Sequence, residues 1–227
     1  MTHPAHVTAV IFDVNETLSD MSPLRTRFER LGVPGDLMPV WFAGVLRDGF
    51  ALTAAGGFAP FADIAADGLR AVLEDRPGWS GNAEDAVRYV MSGFAELGVH
   101  PDIPDGVRRL REAGLRLATM TNGSVELTRG LLDRAGLLDQ VELLLDVQGP
   151  RAWKPSPVAY HYAVDNLGVT PAEALLVAVH PWDIDGARRA GLEAAWLRRG
   201  LTTYPPTMTA PTLTISDLPK LAAHLTP

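Results

Sequence analysis

Val7-Thr8-Ala9-Val10-Ile11-Phe12 is an apolar run rich in strand-forming residues, and it stops abruptly at Asp13-Val14-Asn15-Glu16-Thr17-Leu18. So short a run, apolar on both faces, predicts a strand buried in the middle of a sheet. The sheet then has to be parallel and covered on both sides, because only such sheets bury both faces of a strand. The polar residues after Phe12 fall at the carboxyl end of that strand, where open α/β sheets bind their ligands.

Outward from this strand, the chain first turns helical. Ser22-Pro23 predicts an N-cap followed by proline in the first helical position, with Gly32 as the stop. From Leu37 to Leu97 the apolar residues recur at helical spacing, Leu46, Phe50, Phe61, Ile64, Leu69, Val72, Val87, Val90, Phe94 and Leu97 among them, and no strand is expected. Beyond Pro101 helices and strands alternate. Helices are expected at 104–113, from Ser124 to about Gly136, from Pro157 to about Gly168 and from Trp182. Strands are expected at 115–121, 141–147, 175–179, 194–197 and 213–215. Thr170-Pro171-Ala172-Glu173 has the spacing of a capping box. This alternation predicts an α/β fold with a doubly wound parallel sheet, residues 1–20 and 98–227, interrupted by an all-helical insertion, residues 21–97.

Composition narrows the partners. The chain has 227 residues, 47% hydrophobic, with a formal net charge of -7 and no cysteine. Disulfides, thiol catalysis and thiolate metal sites are excluded. No basic stripe exists for nucleic acid, and no apolar run approaches a membrane span. The first residues, Met1 to Ala9, lack an apolar signal core. The expectation is a soluble, cytoplasmic protein acting on a small molecule.

Four segments fall at or near strand ends: Asp13 to Thr17, Thr121-Asn122-Gly123-Ser124, Trp153-Lys154-Pro155 and His180-Pro181-Trp182-Asp183. Each has an ordinary explanation by itself, as a turn, a helix cap or a solvated lysine. Gathered on one rim they supply the carboxylates of Asp13 and Asp183, the ammonium of Lys154, hydroxyls, the amides of Asn15 and Asn122 and the imidazole of His180. Such a set is able to form a nucleophile, an anion pocket and a water-activating base.

In order and placement these segments resemble the four motifs of the HAD superfamily. Phe12-Asp13-Val14-Asn15-Glu16-Thr17-Leu18 resembles the first, Thr121-Asn122-Gly123 the second, Lys154-Pro155 the third and Trp182-Asp183-Ile184-Asp185-Gly186-Ala187 the fourth. The resemblance implies a Rossmann-like HAD core with a helical cap. HAD phosphatases resemble Asp-x-Asp in the first motif and carry a metal-binding Asp four residues before the position of Asp183. Here Asn15 and Val179 stand at those places, with Ala178 where a Gly would be. Asn15 is no general acid at neutral pH, and Mg²⁺ would lose a carboxylate.

The same residues look natural in the L-2-haloacid dehalogenase family, which is similar in lacking both a metal and the second Asp. That resemblance implies a carbon–halide hydrolase without a cofactor: Asp13 as nucleophile, Lys154 as its charge partner and Asp183 as the activator of water. Thr17, Asn15, Thr121, Asn122, Tyr160, His180, Trp182, Phe42 and Phe61 are then the candidate contacts to a small carboxylate substrate. Tyr160, six residues after Lys154, fits the dehalogenase pattern, as do Trp182 and the cap aromatic Phe61. The pattern is broken elsewhere. Phe42 follows Trp41 where the family carries an Arg, Arg47 being five residues further on. His180 stands for an Asn that cradles halide, and Asn15 for a Tyr. The expectation is a retained hydrolytic core with a rebuilt halide pocket, in which His180 and Asn15 replace missing donors. The alternatives are a Mg²⁺-dependent phosphatase of a small phosphorylated metabolite, and a non-catalytic binding protein on the same scaffold. Relatives commonly form homodimers, but no stretch of this chain marks an interface.

Overall fold

A computed structural model describes residues 7–199 and 203–225. It divides the chain into two compact units, Met1–Ser19 with Gly98–Pro227, and Asp20–Leu97.

The first unit is built on six parallel strands: β1 (Ala9–Phe12), β2 (Arg116–Thr121), β3 (Leu143–Asp146), β4 (Ala174–Ala178), β5 (Glu193–Leu197) and β6 (Leu213–Ile215). Their order is β3-β2-β1-β4-β5-β6. All four residues of β1 and all five of β4 are buried, as the unbroken apolar runs require. Phe12 is in register with Thr119 on one side and Val177 on the other. The chain winds outward one way from β1 and the other way from β4. The crevice between those two strand ends is therefore where a doubly wound sheet places its ligand.

Five helices accompany the sheet: α5 (Ile103–Glu112), α6 (Val125–Arg134), α7 (Pro157–Leu167), α8 (Pro181–Arg189) and α9 (Leu218–Leu225). Ser124 caps α6, its hydroxyl accepting from the Leu127 N–H at 3.2 Å. Gly168 ends α7 in the left-handed conformation, φ 65°, which glycine adopts without the Cβ penalty. The Thr170–Glu173 box forms, with the Glu173 carboxylate accepting from the Thr170 N–H and hydroxyl. It frames a single 3₁₀ turn, Pro171–Glu173, that leads into β4. Helix α9 lies beyond the elements expected from sequence. Its buried Leu218, Leu221 and Ala222 give a short apolar face, and Leu218 packs so closely over α5 that a Cβ on Gly106 would meet it at 2.5 Å.

The second unit is helical throughout its regular structure: α1 (Pro23–Arg30), α2 (Leu37–Ala54), α3 (Phe61–Glu74), α4 (Ala83–Ser92) and a 3₁₀ turn, Gly93–Glu96. An aromatic cluster forms its centre. Trp41 lies 5.7 Å from Phe28 and 6.2 Å from Phe94, while Phe61 lies 5.5 Å from Phe94 and 6.3 Å from Phe42. The Trp41 indole N–H donates to the Ala65 carbonyl at 2.9 Å and ties α2 to α3. One expected cap is corrected. Helix α1 does begin at Pro23, but Ser22 has helical dihedrals and makes no side-chain cap. Its N–H is spent on Asp20 instead.

Candidate active site

Asp13 leaves β1 with its carboxylate buried and its N–H tied to the Val177 carbonyl at 3.0 Å. Lys154, fully buried before α7, reaches between two carboxylates. Its Nζ is 3.0 Å from Asp13 Oδ1 and 2.6 Å from Asp183 Oδ2. Burial by itself opposes all three charges; the arrangement offsets that cost by pairing them. Burial raises the Asp13 pKa, but Lys154 above all, with His180 and Thr17, holds it far below the usual carboxylate range. Burial lowers that of Lys154, yet the two carboxylates carry it above the ordinary value. Asp183, wholly buried, is pushed up by desolvation despite Lys154. Asp13 is thus the firmly ionised carboxylate of the pair, and Asp183 the one readier to take a proton.

The second oxygen of Asp13 has a different environment. The Thr17 hydroxyl donates to Oδ2 at 2.7 Å, and His180 Nδ1 lies 3.2 Å away. The other ring nitrogen, Nε2, is 2.8 Å from Glu16 Oε2. Each ring nitrogen thus faces a carboxylate oxygen, an arrangement that favours the imidazolium form. Burial works against that charge, but hydrogen bonds to Asp13 and Glu16 raise the His180 pKa from 6.5 to about 9. Trp182 stacks on the ring at 5.0 Å, and Lys154 Nζ stands 5.9 Å over the Trp182 indole.

Glu16 was not among the expected site residues. It occupies the left-handed region at φ 62°, which costs a side-chain-bearing residue about 1–2 kcal/mol. Its carbonyl faces His100 Nε2 at 3.1 Å. Only its pairing with His180, across 164 residues of sequence, gives it a place at the site, and no sequence pattern announces that.

Several expected substrate contacts have other occupations. The Asn122 side chain grips the Lys154 backbone, Oδ1 accepting from its N–H at 2.9 Å and Nδ2 donating to its carbonyl at 3.2 Å. The Thr121 hydroxyl accepts from the Gly123 N–H at 2.9 Å. At the start of α6 the Val125 N–H goes to Asp146, at 2.9 Å, and the Leu127 N–H to Ser124. Around the start of α6, then, the Gly123, Val125 and Leu127 N–H groups already have acceptors within the protein. Tyr160 does not aim at the rim. It is buried, and its hydroxyl donates to Asp183 Oδ1 at 2.6 Å. Gly186 makes room for it, since a Cβ there would lie 2.5 Å from the Tyr160 oxygen. His180 cannot offer a free N–H to a halide, because both are spent on carboxylates. Asn15 lies beside Gly123, where a Cβ would come within 3.3 Å of its Nδ2. Phe42 and Phe61 are buried in the aromatic cluster of the helical unit. Arg47 is 75% exposed and paired with Asp48.

A hard divalent cation needs carboxylate oxygens free to ligate it. Here the ammonium of Lys154 lies between Asp13 and Asp183, and Asn15 and Val179 bring no carboxylate to the crevice. Among the described residues no cluster of three His, Asp or Glu forms a metal site. This donor set does not fit Mg²⁺.

Residues 7–191 match the family model for haloacid dehalogenase-like hydrolases. The chain belongs to that family. Haloacid dehalogenase-like relatives include haloacetate dehalogenase H-2 of Moraxella sp. (strain B), 26% identical over 195 residues, 85% of this chain and 86% of the relative. A phosphoserine phosphatase of Thermus thermophilus is 32% identical over 151 residues, 66% of this chain and 60% of its own. The L-2-haloacid dehalogenase of Xanthobacter autotrophicus, whose structure is known alone and with chloropropionic acid covalently bound, superimposes with a TM-score of 0.84. It is 25% identical and aligns over 96% of this chain and 97% of its own. Among the described residues of this haloacid dehalogenase-like hydrolase, no helix is long and apolar enough to cross a membrane.

Proposed function

We propose that this hydrolase displaces halide from short 2-haloacids through an ester on Asp13. The observation that carries the reading is the single ammonium of Lys154 shared by two buried carboxylates, Asp13 and Asp183. A binding protein has no use for a buried, ionised carboxylate aimed at a ligand crevice. A phosphatase needs an acid and a metal-binding carboxylate where this chain has Asn15 and Val179.

The chemistry follows from the oxygens. Oδ2 of Asp13 already takes two donors, Thr17 and His180. Oδ1 takes one, from Lys154, and keeps a lone pair. Oδ1 attacks the carbon bearing the halogen, and the carbon–halogen bond breaks with its electron pair on the halide. A carboxylate is a weak nucleophile, so alignment has to supply much of the rate; well-held reactants gain roughly 7–11 kcal/mol. Water then attacks Cγ of the ester and gives a proton to Asp183. As the Cγ–Oδ1 bond breaks, Oδ1 takes a proton from Lys154, which recovers one from Asp183 across their shared contact. The water's second proton is released, and Asp13 is again a carboxylate carrying the water oxygen. No step requires a cofactor or a metal.

The phosphatase reading has the Thermus relative in its favour, and one comparison separates the two. Halide release from 2-chloropropionate in EDTA is expected, with no p-nitrophenyl phosphate turnover in Mg²⁺. Metal-dependent phosphate release without halide release would refute the proposal. A single turnover in ¹⁸O-water should leave label in the peptide containing Asp13.

A further inference from the structure

We propose that His180, held by Glu16, forms with Thr17 the oxyanion hole for hydrolysis of the Asp13 ester, which makes His180 a catalytic residue and Glu16 its positioning residue. This rests on the ester reading above.

The geometry begins with the unequal oxygens of Asp13. If Oδ1 becomes the ester oxygen, Oδ2 stays as the carbonyl oxygen. Attack of water on Cγ moves the carbonyl electron pair onto Oδ2, and collapse of the adduct returns it as Cγ–Oδ1 breaks. Two donors already point at Oδ2, Thr17 Oγ1 at 2.7 Å and His180 Nδ1 at 3.2 Å. They are in place before charge develops, as electrostatic stabilisation of a transition state requires. The ring is held on its far side by Glu16 and on its flat face by Trp182.

Glu16 supplies the independent observation. A glutamate in a left-handed backbone conformation is an outlier that persists where the surroundings fix it, and such outliers gather at functional sites. Here the conformation delivers Oε2 to His180 Nε2 at 2.8 Å. Once Asp13 is esterified its negative charge is gone, and Glu16 becomes the anion that keeps the imidazolium charged. The charged groups that face His180 are Asp13 from the end of β1 and Glu16 from the following loop. Lys154 and Asp183 lie beyond Asp13.

The test uses the full-length protein with 2-chloropropionate, Glu16→Gln, Glu16→Asp and His180→Asn, followed by a rapid halide burst and the slower decay of the ester. Decay is expected to slow about 10²-fold in His180→Asn, the loss typical of one oxyanion donor, with the burst amplitude kept. Glu16→Gln should move the alkaline inflection of the decay rate toward neutrality, with Glu16→Asp restoring part of it. Imidazole nitrogen NMR on the resting protein reads the same shift without substrate. A burst followed by unaltered decay in these variants, or one His180 titration common to wild type and Glu16→Gln, overturns the assignment alone. Halide release by the wild type without ¹⁸O label in the Asp13 peptide after a single turnover overturns the ester reading and this assignment with it.

Discussion

Asn122 holds both backbone groups of Lys154, accepting from its N–H at 2.9 Å and donating to its carbonyl at 3.2 Å. An amide with one acceptor and two donors is matched here to one N–H and one C=O, so it fixes the lysine's main chain and leaves its side chain to reach Asp13. Asn122→Ala is expected to leave two buried backbone groups unpaired, at about 1–3 kcal/mol each. Urea unfolding should show that loss, and kcat should fall with it as Lys154 drifts. A variant of unchanged stability and activity would remove the clamp from this description.

Lys154→Met tests the bridge itself. Removing the cation leaves Asp13 and Asp183 buried together without their partner, which costs about 3–5 kcal/mol. The folded protein should then take up protons near neutral pH that the wild type does not. Halide release should be lost in Lys154→Met and in Asp13→Asn alike, with Asp13→Asn giving no ester by mass spectrometry.

Tyr160→Phe keeps the ring against Gly186 and deletes only the hydroxyl that donates to Asp183 Oδ1. That bond favours the charged form of Asp183, so its loss raises a pKa that burial has already raised. Ester decay should slow by roughly tenfold for a charge-assisted bond of about 1.5–3 kcal/mol, partly compensated by relaxation. The acid limb of its pH profile should move upward, while KM stays near the wild-type value.

Stability should depend on pH through His180. Its folded pKa, about 9, lies above the ordinary 6.5. A raised pKa contributes stability fully below 6.5, and that contribution is lost as pH rises through about 9. Wild-type Tm is therefore expected to fall between pH 6.5 and 9, and His180→Asn should flatten that fall. Asp13 works in the opposite sense: its depressed pKa stabilises above 3.8, and the contribution is lost as pH falls below it. Thermal unfolding at intervals from pH 3 to 10 checks both slopes.

The strands were legible because a doubly buried parallel strand has to be apolar along its whole length; Ala9–Phe12 and Ala174–Ala178 leave no other reading. The order of polar segments at the strand ends made Asp13, Lys154 and Asp183 visible as a group. Their meeting at one ammonium is a tertiary fact. What sequence could not reveal was where hydrogen bonds go. Asn122 and Tyr160 were expected to face substrate, but each instead supports a charged residue, because a buried charge needs its partners held. At the start of α6, likewise, Asp146 from the end of β3 takes the Val125 N–H. Glu16 stayed hidden because a left-handed glutamate looks, in sequence, like any turn residue. Helix α9 was missed because it is eight residues long and carries Pro219.

The strand order has a consequence for how the protein comes into being. β1 is made before its partners, β2 and β4, which lie more than a hundred residues further along the chain. Nothing local pairs with it. A growing chain must carry an unpartnered apolar strand until β2 is made, and the lysine bridge closes only after Asp183 has emerged. Long-range closures of this kind are slow steps in folding. Regain of activity in refolding should therefore trail regain of helical signal, and the nascent chain is most in need of a chaperone between its first strand and its fourth.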